Sequence, residues 1–201
     1  MMDYSEHQLR LLDDIDEMRR MDPGGILNLV AGFSGQLQEA LRISDSVRLP
    51  ENLGGLKNIV TVGLGGSGIG GDAIRELISQ EAEVPVTVVK DHGLPAFVDK
   101  KTLAFIVSYS GNTEETLSAY EIACQRGAGL ICITSGGRLL EAARSRNVPA
   151  VVIPGGLPPR CALVYLATPI LVSLGSLGYI EDRREALKDA AQLIEDLTTA
   201  V

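Results

Sequence analysis

The chain has 201 residues, of which 45% are hydrophobic and 22% charged, and its formal net charge is −8. These values are typical of a globular domain with a sizeable core, and they exclude a disordered chain. The charge pattern offers no basic stripe for DNA or RNA, and the first 20 residues hold no apolar run of the kind found in a signal peptide.

The predicted elements begin with two helices and continue as an alternation of strands and helices. Residues 5–21 and 26–41 carry apolar side chains at helical spacing, and a Pro-Gly-Gly break separates them. Short apolar runs typical of strands covered on both faces of a parallel sheet follow at 58–64, 85–90, 102–109, 129–134 and 150–153. Helices are predicted at 68–80, 113–126, 138–147, 160–179 and 182–198.

This order predicts an α/β fold with a doubly wound, five-stranded parallel sheet flanked by helices and preceded by an N-terminal helical hairpin. We divide the chain into residues 1–57, a helical segment packing on the domain, and residues 58–201, the domain itself. Residues 162–180 carry no charge, but Pro169 and several polar residues among them favour a buried core helix over a membrane span. We therefore expect no membrane contact.

The cysteines and histidines argue against a disulfide framework and against a metal site. Cys124, Cys132 and Cys161 are scattered along the chain, and His7 and His92 stand at no metal-ligand spacing from them. Free thiols are typical of a reducing compartment. The sequence therefore predicts a cytoplasmic protein without a bound metal.

A glycine-rich loop follows the first predicted strand. Residues 63–72 read GLGGSGIGGD, which places Gly65, Gly66 and Ser67 directly before a predicted helix. Glycines let the backbone approach a ligand closely, and a helix N-terminus offers N–H groups to an anion. The loop also fits the G-x-G-x-x-G pattern of dinucleotide sites, with Asp91 near the ribose-binding position. A dinucleotide-dependent oxidoreductase and a tight turn without a ligand are therefore alternatives, whereas the missing Gly-Lys-Ser/Thr excludes a P-loop.

A hydroxyl-rich loop, SYSGNTEET at residues 108–116, follows the third predicted strand. Its candidate anion-binding residues are Ser108, Ser110, Gly111, Asn112 and Thr113. The alternative is a helix capping box formed by Asn112 and Glu115. A capping box needs no further serines, so we favour an anion-binding loop whose neutral donors hold a phosphate monoester.

Two further strand ends carry candidate residues. Ser135 follows the fourth strand in a Thr-Ser-Gly-Gly turn, where it either contacts a polar ligand or caps a helix. Arg160 follows the fifth strand in a Pro-Pro-Arg run, at a predicted helix start where a cation is electrostatically unfavourable. This placement predicts an anionic partner for Arg160, either a carboxylate or a ligand oxygen.

In combination these motifs resemble a known family. The runs VGLGGSGIGGD, SYSGNTEET, TSGG and PPRCALVYLATPIL, in this order, are similar to the N-terminal sugar isomerase (SIS) domain of bifunctional phosphoglucose/phosphomannose isomerases. The resemblance covers about residues 22–198. It implies two SIS domains per subunit, a homodimer, and neither a metal nor a nucleotide cofactor. The implied reaction interconverts glucose 6-phosphate or mannose 6-phosphate with fructose 6-phosphate through a cis-enediol.

The resemblance also implies roles for individual residues. Arg160 would be catalytic, because it would stabilise the negative charge that develops on the enediolate oxygens. The phosphate of the hexose 6-phosphate would be held by Gly66, Ser67, Ser108, Ser110 and Thr113.

The residues that move the proton are expected elsewhere. The resemblance places a carboxylate base, a ring-opening histidine and a lysine in a second SIS domain, and a base must lie within about 3 Å of the proton it removes. No residue of the matched region is a convincing substitute, so the chain alone is expected to be inactive. The alternatives are a non-catalytic sugar-phosphate-binding regulatory domain and a single-domain isomerase of the hexulose 6-phosphate type, with Glu181 or Glu185 as its base.

Overall fold

A computed structural model of the protein describes residues 14–49, 53 and 55–199. The first part of the first predicted helix therefore lies outside the described residues. Within residues 14–49, three helices precede the sheet: α1 (Ile15–Met21), α2 (Ile26–Ala31) and α3 (Phe33–Asp45). The second predicted helix is thus two helices divided at Gly32, because glycine is a poor helix former and lets the chain change direction there.

Five parallel strands form one sheet in the order β2-β1-β3-β4-β5. The strands are β1 (Asn58–Val62), β2 (Val86–Val89), β3 (Thr102–Val107), β4 (Gly129–Thr134) and β5 (Ala150–Val152). Every residue of the central strand β3 is buried, as expected for a run that helices cover on both faces. The predicted doubly wound sheet is confirmed.

Helices cover the two faces of the sheet and enclose two apolar clusters. On one face lie α3, α4 (Gly66–Leu77), α7 (Leu163–Ser176) and α8 (Arg184–Thr199). On the other face lie α5 (Glu114–Gln125) and α6 (Gly137–Ser145). Since α4 and α5 both begin at the carboxyl ends of strands, the fold aims their N-termini toward the same edge of the sheet.

Helix α7 is the buried helix that the uncharged segment 162–180 predicted, and ten of its residues are buried. Among the described residues, no helix combines the length and the apolar character needed to cross a membrane. Helix α3 packs against α7, where the Tyr165 hydroxyl donates to the carboxylate of Glu39 at 2.6 Å. Burial and this negative partner raise the pKa of Tyr165, so the phenol remains a proton donor that holds the two helices together.

Candidate functional site

The candidate site lies where the strand order reverses. From β1 the chain continues to β2 on one side, while β3 pairs with β1 on the other side. Such a reversal opens a crevice beyond the carboxyl ends of the two central strands. Ligand pockets have volumes of about 300–1,000 Å³, and the cavity found here measures about 330 Å³. Its lining residues are Leu64, Gly65, Gly66, Ser67, Tyr109, Ser110, Thr113 and Pro159.

Two helix N-termini without side-chain caps face this cavity. Gly65 precedes α4 and has no side chain to cap it, and Thr113 precedes α5 but makes no capping hydrogen bond. The first N–H groups of a helix have no partner within the helix, and the helix dipole adds partial positive charge there. Because both residues line the cavity, the site presents backbone donors from two directions to a bound anion.

A direct hydrogen bond joins the glycine-rich loop to the hydroxyl-rich loop. The backbone N–H of Tyr109 donates to Oγ of Ser67 at 3.1 Å. One of the two acceptor lone pairs of the Ser67 hydroxyl is thereby occupied, while its O–H can donate to a ligand. The two predicted anion-binding loops are therefore adjacent, and Ser67 faces the space between them.

The hydroxyl groups of the second loop divide into an inner and an outer set. Ser108 is only 2% exposed, accepts from the N–H of Gly111 at 3.1 Å, and shares a 3.0 Å hydrogen bond with the Thr113 hydroxyl. Ser110 and Thr113 line the cavity, whereas Ser108 does not. Ser110 and Thr113 thus face the cavity. Ser108 lies behind them, where its hydrogen bond holds the Thr113 hydroxyl.

Asn112 connects the second loop to the start of α6. Its side-chain oxygen accepts from the N–H of Arg138 at 3.1 Å, and its side-chain nitrogen donates to the carbonyl of Ser110 at 3.2 Å. The alternative capping box of Asn112 with Glu115 is wrong, because Thr113 is the residue at the N-cap and Asn112 bonds elsewhere. Asn112 stays a predicted ligand residue, although it does not line the cavity.

Gly111 and Ser135 lie behind the loop as well. Gly111 has a φ of +70°, and a Cβ built on it would lie 1.8 Å from the carbonyl oxygen of Gly136. The Ser135 hydroxyl donates to the carbonyl of Tyr109 at 2.6 Å. Neither residue lines the cavity, so the structure gives both a supporting position, and their contact with a ligand stays a prediction.

The prediction that Arg160 stands at a helix start is wrong. Arg160 lies in a short 3-10 turn, Pro159–Cys161, and α7 begins only at Leu163. Its side chain is exposed, and no carboxylate among the described residues pairs with it. The predicted contact of Arg160 with a ligand oxygen stays a prediction.

The turn that carries Arg160 packs against the glycine-rich loop. Pro159 lines the cavity, and a Cβ built on Gly66 would lie 3.0 Å from the Pro159 carbonyl oxygen. A side chain at position 66 would push the turn away. Glycine at this position thus lets Pro159 approach the cavity, whereas Arg160, the next residue, is not among the residues that line it.

Sequence reasoning gave no role to Tyr109, which is 8% exposed and lines the cavity. Its hydroxyl donates to the carbonyl of Pro154 at 3.0 Å and accepts from the N–H of Leu157 at 2.8 Å. The available signal was an aromatic residue between two serines at the end of a buried strand. Nothing in that local pattern predicts partners more than 40 residues away in the sequence.

No carboxylate or imidazole is among the described residues that line the cavity. The proposal of Glu181 or Glu185 as a base is wrong for this cavity. The backbone N–H of Glu181 donates to the Glu81 carboxylate, and Glu81 follows the carboxyl-terminal end of α4. A 12-residue helix is about 18 Å long, so Glu181 lies at the opposite end of α4 from the cavity. Glu185 is exposed beside it and pairs with Lys188.

Comparison with known proteins agrees with this geometry. Residues 55–138, which include both loops, match the model of the SIS domain family. This part of the chain is therefore similar to a SIS domain. Relatives at the sequence level include bifunctional phosphoglucose/phosphomannose isomerases and a D-glucosamine-6-phosphate 4-epimerase, and the resemblance to the isomerase family is confirmed.

Two such relatives illustrate the similarity. The enzyme of Caldicellulosiruptor bescii is 41% identical over 162 residues, which are 81% of this chain and 48% of the relative. The enzyme of Thermoplasma acidophilum is 44% identical over 162 residues, which are 80% of this chain and 48% of the relative. The chain thus spans about half the length of the curated relatives it matches.

A solved structure supports the fold. The C-terminal domain of glucosamine-fructose-6-phosphate aminotransferase from Francisella tularensis superimposes with a TM-score of 0.62 at 18% identity. The match covers 87% of this chain and 53% of that one. At this identity the similarity concerns the fold alone.

Proposed function

We propose that this chain provides the phosphosugar-binding SIS domain of an aldose–ketose isomerase that interconverts glucose 6-phosphate or mannose 6-phosphate with fructose 6-phosphate. The observation that carries the proposal is the convergence of two uncapped helix N-termini and the hydroxyls of Ser67, Ser110 and Thr113 on one cavity. Neutral donors of this kind hold a phosphate without a lysine or arginine. The two relatives from Caldicellulosiruptor bescii and Thermoplasma acidophilum are both named bifunctional phosphoglucose/phosphomannose isomerase.

In this reaction a base removes the proton from C2 of the open-chain aldose and returns it to C1. The electrons of the broken C–H bond form the C1–C2 double bond, the π electrons of the C1 carbonyl move to O1, and negative charge develops on the enediolate oxygens. The proton of the C2 hydroxyl passes to O1 as the C2 carbonyl of the ketose forms. Arg160, which follows the lining residue Pro159 in the sequence but does not itself line the cavity, would stabilise the enediolate charge. Because no lining residue is a base, we propose that the base belongs to a part of the functional enzyme outside the described residues.

The first test is thermal stability in the presence of fructose 6-phosphate. A ligand at 100 times its Kd stabilises the folded state by about 2.7 kcal/mol, which for a chain of this size raises Tm by roughly 5–10 °C. We expect Ser110→Ala to weaken binding about tenfold, because it removes a hydrogen bond to a charged group. The measurement is a calorimetric melting curve over a range of ligand concentrations.

Two controls separate binding from general stability. Ser79→Ala also removes an exposed hydroxyl, but that hydroxyl donates to the Glu76 carbonyl at the far end of α4. It should leave the ligand-induced rise in Tm unchanged. Fructose without a phosphate should give no rise. An unchanged Tm of the wild type at millimolar fructose 6-phosphate would contradict the proposal.

The proposed context of this activity is a homodimer in the cytoplasm, in keeping with the free thiols of the chain. A non-catalytic regulatory domain would bind the same sugar phosphates and would be distinguished by an effect of the ligand on association with a partner. A single-domain isomerase would require turnover by the purified chain, which we do not expect. The isomerase relatives give no support to a dinucleotide-dependent oxidoreductase.

A further inference from the structure

Tyr109 makes hydrogen bonds to three other strand-end loops. Its N–H donates to Ser67 in the loop after β1, at 3.1 Å. Its carbonyl accepts from both the N–H and the hydroxyl of Ser135 in the loop after β4, at 2.9 and 2.6 Å. Its phenol hydroxyl contacts two residues of the loop after β5. Tyr109 is therefore hydrogen-bonded to every other loop that carries a candidate site residue.

The phenol hydroxyl is fully used by the loop after β5. It donates its only hydrogen to the carbonyl of Pro154 and accepts the N–H of Leu157. A phenol engaged in this way has no hydrogen left to exchange with a substrate. The hydroxyl instead fixes residues 154–157, which lead directly into Pro159 and Arg160.

The turn that carries Arg160 is thus held from two sides. On one side, Tyr109 fixes the chain at Leu157. On the other side, the Pro159 carbonyl packs against Gly66 of the glycine-rich loop. The Arg160 side chain itself has no carboxylate partner among the described residues, so its position depends on the backbone that carries it.

We propose that Tyr109 is a positioning residue that sets Arg160 relative to the phosphate-binding loops. The proposal rests on the proposed function, because it assumes that Arg160 faces the reacting end of a sugar phosphate. It predicts that loss of the phenol hydroxyl weakens recognition of enediolate charge while recognition of the phosphate group persists. The backbone bonds of Tyr109 to Ser67 and Ser135 do not depend on its side chain.

The test compares two ligands on Tyr109→Phe by isothermal titration calorimetry. Fructose 6-phosphate reports on the phosphate-binding loops. 5-Phosphoarabinonate carries a carboxylate where an enediolate would develop charge, and so reports on Arg160 as well. We expect Tyr109→Phe to weaken 5-phosphoarabinonate about tenfold, the size of one hydrogen bond to a charged group, and fructose 6-phosphate by less than about twofold.

Tyr120→Phe is the matched control. Tyr120 is also buried, and its hydroxyl donates to the carbonyl of Ala142 at 3.0 Å, on the opposite face of the sheet. This variant should leave both affinities within about twofold of the wild type. Equal weakening of both ligands in Tyr109→Phe, or the same pattern in Tyr120→Phe, would overturn the positioning role. Failure of the wild type to bind either ligand would instead overturn the proposed function.

A measurement on the wild type keeps the proposal testable if Tyr109→Phe does not fold. The amide of Leu157 lies in a loop and is partly buried, yet it donates to the Tyr109 hydroxyl. We expect hydrogen exchange followed by NMR to find this amide protected, with stronger protection once 5-phosphoarabinonate is bound. Exchange at the rate of an unstructured peptide would show that the hydroxyl does not hold the loop, and would overturn the proposal.

Discussion

Gly111→Ala is expected to lower the free energy of unfolding by more than about 4 kcal/mol, a loss seen only for severe core or backbone changes. A Cβ at this position would lie 1.8 Å from the Gly136 carbonyl oxygen and 2.8 Å from the Thr134 hydroxyl. The backbone of the Gly136 turn cannot move without breaking the hydrogen bond between Asn112 and Arg138. The φ of +70° adds the strain of a left-handed conformation.

Gly127→Ala separates steric overlap from backbone strain. Gly127 has the same φ of +70°, but no atom lies within 4 Å of a Cβ built there. This variant should lose only about 1–2 kcal/mol, the cost of placing an L-residue in the left-handed region. Urea unfolding of both variants gives the comparison. Equal losses in the two would contradict the close packing of the hydroxyl-rich loop against the Gly136 turn.

The second large effect is expected for Arg160→Gln. Removing a donor that faces developing negative charge costs roughly 10²–10³ in the stabilisation of that charge. We therefore expect Arg160→Gln to weaken 5-phosphoarabinonate at least about 100-fold, while fructose 6-phosphate weakens by less than about fivefold. Calorimetric titration of both ligands measures the difference. Stability should hardly change, because the side chain is exposed and makes no ion pair within the described chain.

Arg144→Gln provides the control for net charge. Arg144 lies in the last turn of α6, is exposed, and is distant from the strand ends that form the cavity. Arg144→Gln changes the net charge of the protein by the same amount as Arg160→Gln. It should leave the affinities for 5-phosphoarabinonate and fructose 6-phosphate unaltered. A similar loss for Arg144→Gln would mean that general electrostatic attraction, and not contact with Arg160, favours the anionic ligand.

The fold followed from the sequence because local patterns determined it. The apolar run at Thr102–Val107 has no polar residue after its first position, and it became the buried centre of the sheet. The two loops were found for the same reason, since ligands of parallel sheets bind where strands end and helices begin. The strands β1 and β3 end two residues earlier than predicted, at Val62 and Val107, because the residues beyond them turn into the loops.

Contacts between residues distant in sequence could not be predicted in this way. Asn112 looked like a helix cap, yet its side chain bonds to the N–H of Arg138, 26 residues further on. The hydroxyl of Tyr109 bonds to a loop more than 40 residues away. The late start of α7 has no such local signal, because Pro158 and Pro159 restrict only the residues before them, which already precede the predicted start at residue 160.

A crystal structure of the chain with fructose 6-phosphate tests the central claim most directly. Two loops, at residues 65–67 and 108–113, are held together by the hydrogen bond from Tyr109 to Ser67. We expect one phosphate group whose oxygens lie about 3 Å from donors of both loops, with the sugar extending toward Arg160. A phosphate bound by one loop alone, or bound elsewhere on the protein, would contradict it.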